Sequence, residues 1–148
     1  MNAPKELPHR ATQNRILDLR DERGSLEMFT PLPRVLVTRA AGHMCEAFAD
    51  GWITATQRLM EGDQTVSVFN EWGQMGSYES AARRKLTDWM LSHRTRFSDT
   101  NFTTNSRIVA MGVSVAGAAV ALVSIKVELH TREEFLRRLD VALRGRQA

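Results

Sequence analysis

The sequence predicts an α/β domain: a mixed sheet with mostly parallel central strands and helices packed against it. Three observations predict it. The runs 34–40 (RVLVTRA) and 65–69 (TVSVF) are short and rich in β-branched residues, as strands are. Each is followed by a helix-length stretch, 44–60 and 77–96, with apolar residues three and four apart. Thr131 with Glu134 three residues later forms a capping box at the head of a last helix. A chain of 148 residues, 43% hydrophobic and 25% charged, is large enough for one domain with a real core.

The elements follow in order. Residues 1–14 read as a polar arm, with Pro4 and Pro8 against regular structure, and residues 15–143 as the single domain. Residues 15–20 alternate as a strand, and Asp21-Glu22-Arg23-Gly24 is a hairpin turn with Gly24 free to take a positive φ. A second strand over 25–30 is broken by Pro31-Leu32-Pro33, and residues 34–40 form the third. In the helix over 44–60, Met44, Phe48, Trp52, Ala55 and Leu59 share one face, and Gly62 lies just past its end. The strand over 65–69 leads into a glycine-containing loop, 70–76, with an exposed Trp72. Ser77 caps a second helix whose stripe is Tyr78, Ala82, Leu86, Trp89, Met90, His93 and Phe97. A polar loop over 98–106, a strand over 107–113, a short helix over 115–122 and a strand over 124–129 follow. The final helix turns Phe135, Leu136, Leu139 and Leu143 inward before a polar tail, 144–148. The order is ββ(β)-α-β-α-β-α-β-α, which calls for parallel strands joined by crossovers.

Composition excludes several function classes. The net charge of +3 is spread, with Arg and Lys interleaved with Asp and Glu, so no basic patch for nucleic acid is expected. One cysteine, Cys45, rules out an internal disulfide framework and a multi-cysteine zinc site. The first eight residues lack an apolar signal core, which fits a reducing, cytoplasmic setting. Residues 108–125 carry no charge, but glycine, serine and alanine dilute the run, so stable membrane insertion is not expected. His9, His43, His93 and His130 stand at no metal-ligand spacing, and no cofactor is implied. His43 and Cys45 sit together at a helix N-terminus, where a thiolate is stabilised, yet no third orienting group is visible.

The segment 70–80 draws most attention, because open α/β sheets place working groups where a strand feeds a helix. Ser77 and Ser80 are candidate phosphoacceptors there, with Arg83 and Arg84 one turn on. Trp72, Gln74, Tyr78, Arg83 and Arg84 form the candidate partner-binding set. An enzyme using Cys45 and His43 is a third reading, beside a protein-interaction module and an apolar-ligand carrier. The strands over 15–30 are expected near a sheet edge, which invites a homodimer.

Ser77-Tyr78-Glu79-Ser80-Ala81-Ala82-Arg83, Val109-Ala110-Met111-Gly112-Val113 and Arg132-Glu133-Glu134-Phe135, set in this element order, resemble a known family. The chain from about Arg15 to Leu143 is similar to STAS domains, the fold of anti-sigma-factor antagonists and sulfate-transporter tails. It resembles most the divergent SpoIIAA-like or STAS/SEC14-type proteins of bacteria. The resemblance implies a non-enzymatic regulatory module that binds another protein, a regulator or kinase-like partner. It implies phosphorylation at the start of the second helix, with Ser77 matching by position and Ser80 second. The sequence departs from the family pattern in lacking the preceding Asp, since Gly76-Ser77-Tyr78 stands there. The SEC14-type likeness and the small residues over 113–121 also imply the alternative, a carrier of a small apolar molecule or lipid.

Overall fold

Strand β4, Val66–Tyr78, runs through the sheet between β3, Val35–Met44, and β5, Phe97–Thr104, pairing in parallel with both. The structure, a computed structural model, describes residues 6–62, 64–121 and 127–145. Around that centre, β1 (Arg15–Arg20) and β2 (Gly24–Leu32) add antiparallel strands on the β3 side. Strand β6 (Val127–Leu129) adds a parallel one beyond β5. The sheet order is β1-β2-β3-β4-β5-β6, the order of the chain. The α/β class and the mixed, centrally parallel sheet are those the sequence predicts.

Period-two alternation separates two cores. On one face, Leu26, Met28, Leu36, Val66, Val68 and Trp72 pack with α1 (Glu46–Leu59), α2 (Ser80–Ser92) and α3 (Arg107–Ala121). On the other, Phe29, Val35, Val37 and Phe69 meet Phe135, Leu139 and Leu143 of α4 (Arg132–Gly145). Leu7 and Ala11, at a short 3₁₀ turn (His9–Thr12), join the second core. Half of the predicted capping box forms at the α4 head: Thr131 Oγ1 accepts from the Glu134 N–H at 3.3 Å. The Glu134 carboxylate turns instead to Arg137 and Arg138 (2.6 and 3.0 Å), which pull its pKa down to about 2.

Several local expectations are corrected. Strand β2 continues through Pro31 to Leu32, with a register shift between Phe29 and Leu32, where a bulge spares proline a ladder bond. Gly24 does not take a positive φ; it opens β2 because a Cβ there would meet the Ala41 and His43 backbone. Opposite Gly24 in the ladder it is Gly42 that takes a positive φ, 72°, as Asn14 and Gly62 do elsewhere. The predicted loop 70–76 is strand, as β4 runs unbroken to Tyr78. Ser77 and Tyr78 therefore lie in β4, and α2 begins at Ser80 after Glu79, so Ser77 caps no helix. The polar stretch 98–106 is largely β5, beginning at Phe97, which the sequence assigns to the helix stripe. The predicted strand 107–113 and helix 115–122 are one helix through Ala121, and Ser106 Oγ caps it by accepting from the Val109 N–H at 3.3 Å. Of the predicted strand 124–129, Val127–Leu129 is β6 and the remainder lies outside the described residues. Among the described residues no helix is long and apolar enough to cross a membrane.

Candidate functional site

Asn70 and Trp72 stand two apart on β4, so both face the helical layer. Thr38, beside them on β3, satisfies both: its hydroxyl donates to Asn70 Oδ1 at 2.6 Å and accepts from Trp72 Nε1–H at 3.1 Å. The Trp72 ring meets Phe102 of β5 edge-to-face, centroids 4.9 Å apart. Trp72 is 7% exposed. The expectation of an exposed loop tryptophan is thus overturned, because a central strand with partners on both sides buries it.

Above these side chains lies a cavity of about 70 Å³, roofed by α2 and α3 and walled by Trp52 of α1. Met75, Met90, Phe102, Val109 and Val113 complete most of its apolar lining. The Tyr78 hydroxyl donates to the Ile108 carbonyl at 3.5 Å, tying the end of β4 to the head of α3. Arg83, half-buried, is the charged residue among the described lining.

The predicted site residues therefore divide. Trp72, Tyr78 and Arg83 are brought together at the cavity, while Gln74 and Arg84 are exposed outside it. Ser80 is exposed as the first residue of α2, preceding Arg83 and Arg84 by three and four positions. Ser77 is half-buried, its Oγ 2.8 Å from His43 Nδ1. Sequence reasoning sees no group near His43 and Cys45; the parallel pairing of β3 with β4 supplies Ser77 and, at 4.0 Å from His43 Nε2, Glu79. That separation exceeds a hydrogen bond, so Glu79 does not orient the ring as a triad acid does. Cys45 Sγ lies 3.7 Å from Asp21 Oδ2, whose other oxygen accepts from the N–H groups of Arg23 and Gly24, holding the Asp21 carboxyl below its usual pKa. Among the described residues no group of three His, Cys, Asp or Glu side chains stands ready for a metal.

On the opposite face Glu71, 5% exposed at its side chain, accepts from Arg132 Nη1 at 2.7 Å and from the Gly73 N–H at 2.9 Å. The His130 side chain, 6% exposed, lies 2.9 Å from Asn101 Oδ1 through Nε2; desolvation first, then Arg138, lowers its pKa.

A solved structure of an uncharacterized protein from Shewanella loihica PV-4, of the DUF3478 family, superposes with a TM-score of 0.51 at 10% identity. The match covers 76% of this chain and 82% of that one, which is described as having a SpoIIAA-like fold. This chain has a SpoIIAA-like fold. No family model matches the sequence, and no curated protein does. Within the SpoIIAA-like frame the cavity lies between the sheet and the α2–α3 pair, and the start of α2 stands beside it.

The signal for the cavity in the sequence is the spacing of Trp52 within the helix-44–60 stripe together with Val109, Gly112 and Val113. Read as a strand, 107–113 would turn alternate residues away from one another; read as a helix, it places those three on one face.

Proposed function

We propose that this chain is a binding domain, without a catalytic set of its own, that takes a small apolar molecule between its sheet and the α2–α3 pair. The observation that carries the reading is the cavity: about 70 Å³ walled by Trp52, Trp72, Met90, Phe102, Val109 and Val113. Close-packed interiors leave few voids larger than a water, and apolar voids stay dry and accept apolar guests. At about half the ~150 Å³ of a benzene-holding cavity, it accepts a xenon-sized or short-chain group. Titration of the full chain with xenon and benzene, followed by amide and indole NMR, tests it. Shifts centred on the Trp52 and Trp72 indoles, abolished by Val109→Phe, support the reading; no shift with either xenon or benzene at saturation overturns it.

A second reading, a regulatory module of the anti-sigma-factor-antagonist kind in a cytoplasmic setting, is favoured by a separate surface. Ile108, Met111 and Val115 are 60%, 68% and 59% exposed and lie on one side of α3, an apolar stripe suited to a protein partner. Ser80 is the phosphoacceptor in this reading, because it is exposed while the Ser77 hydroxyl is engaged by His43. Arg15, Asp18 and Arg20 place charge along the β1 edge, which disfavours edge-to-edge pairing. A homodimer would therefore close through α3. Phosphopeptide mapping of protein isolated from its host tests the switch: phosphate on Ser80 supports it, and an unmodified 77–84 segment under all growth conditions overturns it.

A further inference from the structure

The polar groups that line the cavity are unevenly engaged. The Tyr78 hydroxyl donates to Ile108, the Thr87 hydroxyl to the Arg83 carbonyl at 2.8 Å, and Trp72 Nε1–H to Thr38. Two donors remain. Trp52 Nε1–H is buried, its residue 2% exposed, and meets no acceptor among the described residues. Arg83, a half-buried residue that lines the cavity, makes no ion pair among the described residues, and no Asp or Glu lines the cavity with it. By contrast Lys85, two residues on, is paired with Asp50 at 2.9 Å and Glu46 at 3.7 Å.

We infer that the ligand of this cavity is an anionic amphiphile: an apolar chain lodged among the aromatic and aliphatic side chains, with its acidic head on Arg83. The inference rests on the apolar-cavity reading and adds the head group to it. An apolar chamber whose unengaged polar groups are donors, one of them a cation, selects a guest that brings acceptors and negative charge. A neutral chain of the same length leaves the guanidinium without a counter-charge at an apolar wall. An ammonium-headed chain meets like charge. The partial exposure of Arg83 places the head where the cavity reaches solvent, so that the chain alone is desolvated. Carboxylate and phosphate share the recognised chemistry.

The test is NMR titration of the full chain with hexanoate, hexyl phosphate and 1-hexanol, on the native protein and on Arg83→Gln, Arg83→Lys and Val109→Phe, each checked for native folding by circular dichroism. The native protein is expected to bind an anion roughly tenfold or more tighter than hexanol. Arg83→Gln erases that preference, Arg83→Lys retains a reduced preference, and Val109→Phe removes all three ligands. Tighter hexanoate identifies a free fatty acid as the source, and tighter hexyl phosphate a phosphate-headed lipid; both support the inference. Equal affinity for hexanoate and hexanol in the native protein overturns the head-group assignment and leaves the cavity reading standing. Failure of every ligand overturns both.

Discussion

The Tyr78 ring occupies the space that a side chain at Gly112 would need. A Cβ on Gly112 would lie 2.7 Å from Tyr78 Cζ and closer still to the hydroxyl, so α3 can approach the end of β4 only because residue 112 has no side chain. The contact joins the roof of the cavity to its wall.

Gly112→Ala is therefore expected to destabilise the protein by about 1–3 kcal/mol through overpacking, although alanine is the better helix former by ~1 kcal/mol. In a Tyr78→Ala background the clash is gone, and the same change should become neutral or stabilising. Chemical denaturation of the four proteins measures the reversal of sign. A Gly112→Ala cost that is equal in both backgrounds would sink the account.

Thr38 is the shared partner of Asn70 and Trp72, and it is fully buried. Thr38→Val keeps the shape but leaves the Trp72 indole donor without its acceptor, at a cost of about 1–3 kcal/mol. Thr38→Ser keeps the hydroxyl and should cost less. The two midpoints in urea, compared, separate hydrogen bonding from the lost methyl.

Breaking the Glu71–Arg132 pair from the arginine side leaves a carboxylate buried in a central strand. Arg132→Met is expected to cost about 3–5 kcal/mol, and Glu71→Gln combined with Arg132→Met clearly less, since the double change removes the stranded charge. A thermal-melt cycle of the four proteins checks this. Equal losses in the single and double variants would show that Glu71 is not dependent on its partner.

His130 sets a pH dependence. Its pKa is lowered in the folded state by burial, so the unfolded chain binds the proton more readily below the ordinary value of 6.5. Stability is thus at its full value above pH 6.5 and declines as pH falls below it. Glu134, with a folded pKa of about 2 against 4.5, adds a further loss as pH falls through 4.5. Denaturation midpoints from pH 8 to pH 4 should show a slope beginning near 6.5 that His130→Gln flattens while the slope below 4.5 persists.

Sheet class and the first four strands were legible because they depend on local patterns. The β-branched runs at 34–40 and 65–69, the Phe48–Trp52–Ala55 face and the Thr131 cap all recur in the structure. What escaped was polar strand. Asn70, Glu71, Thr100 and Asn101 read as loop residues, yet all four are buried in β4 and β5. Thr38, Arg132 and His130 make Asn70, Glu71 and Asn101 tolerable there, and each lies about 30 or more residues away in the chain, where no local pattern reaches. The run 107–113 failed for a different reason. A continuous apolar stretch has no period to distinguish strand from helix, and the decisive signal was the single Ser106 cap. The site suffered from both errors: Trp72 was placed outside, and the α3 wall was not recognised as a helix face.

The strand order has a consequence for how the protein is made. Because the sheet lies in the order of the chain, each strand emerging during synthesis meets its partner already in place, and none has to be inserted between two that are paired. The chamber takes shape late in that succession. Its floor exists once β5 has docked, but its α3 roof follows β5 in the chain, giving a nascent chain an interval in which the aromatic floor stands open to whatever the cell offers it.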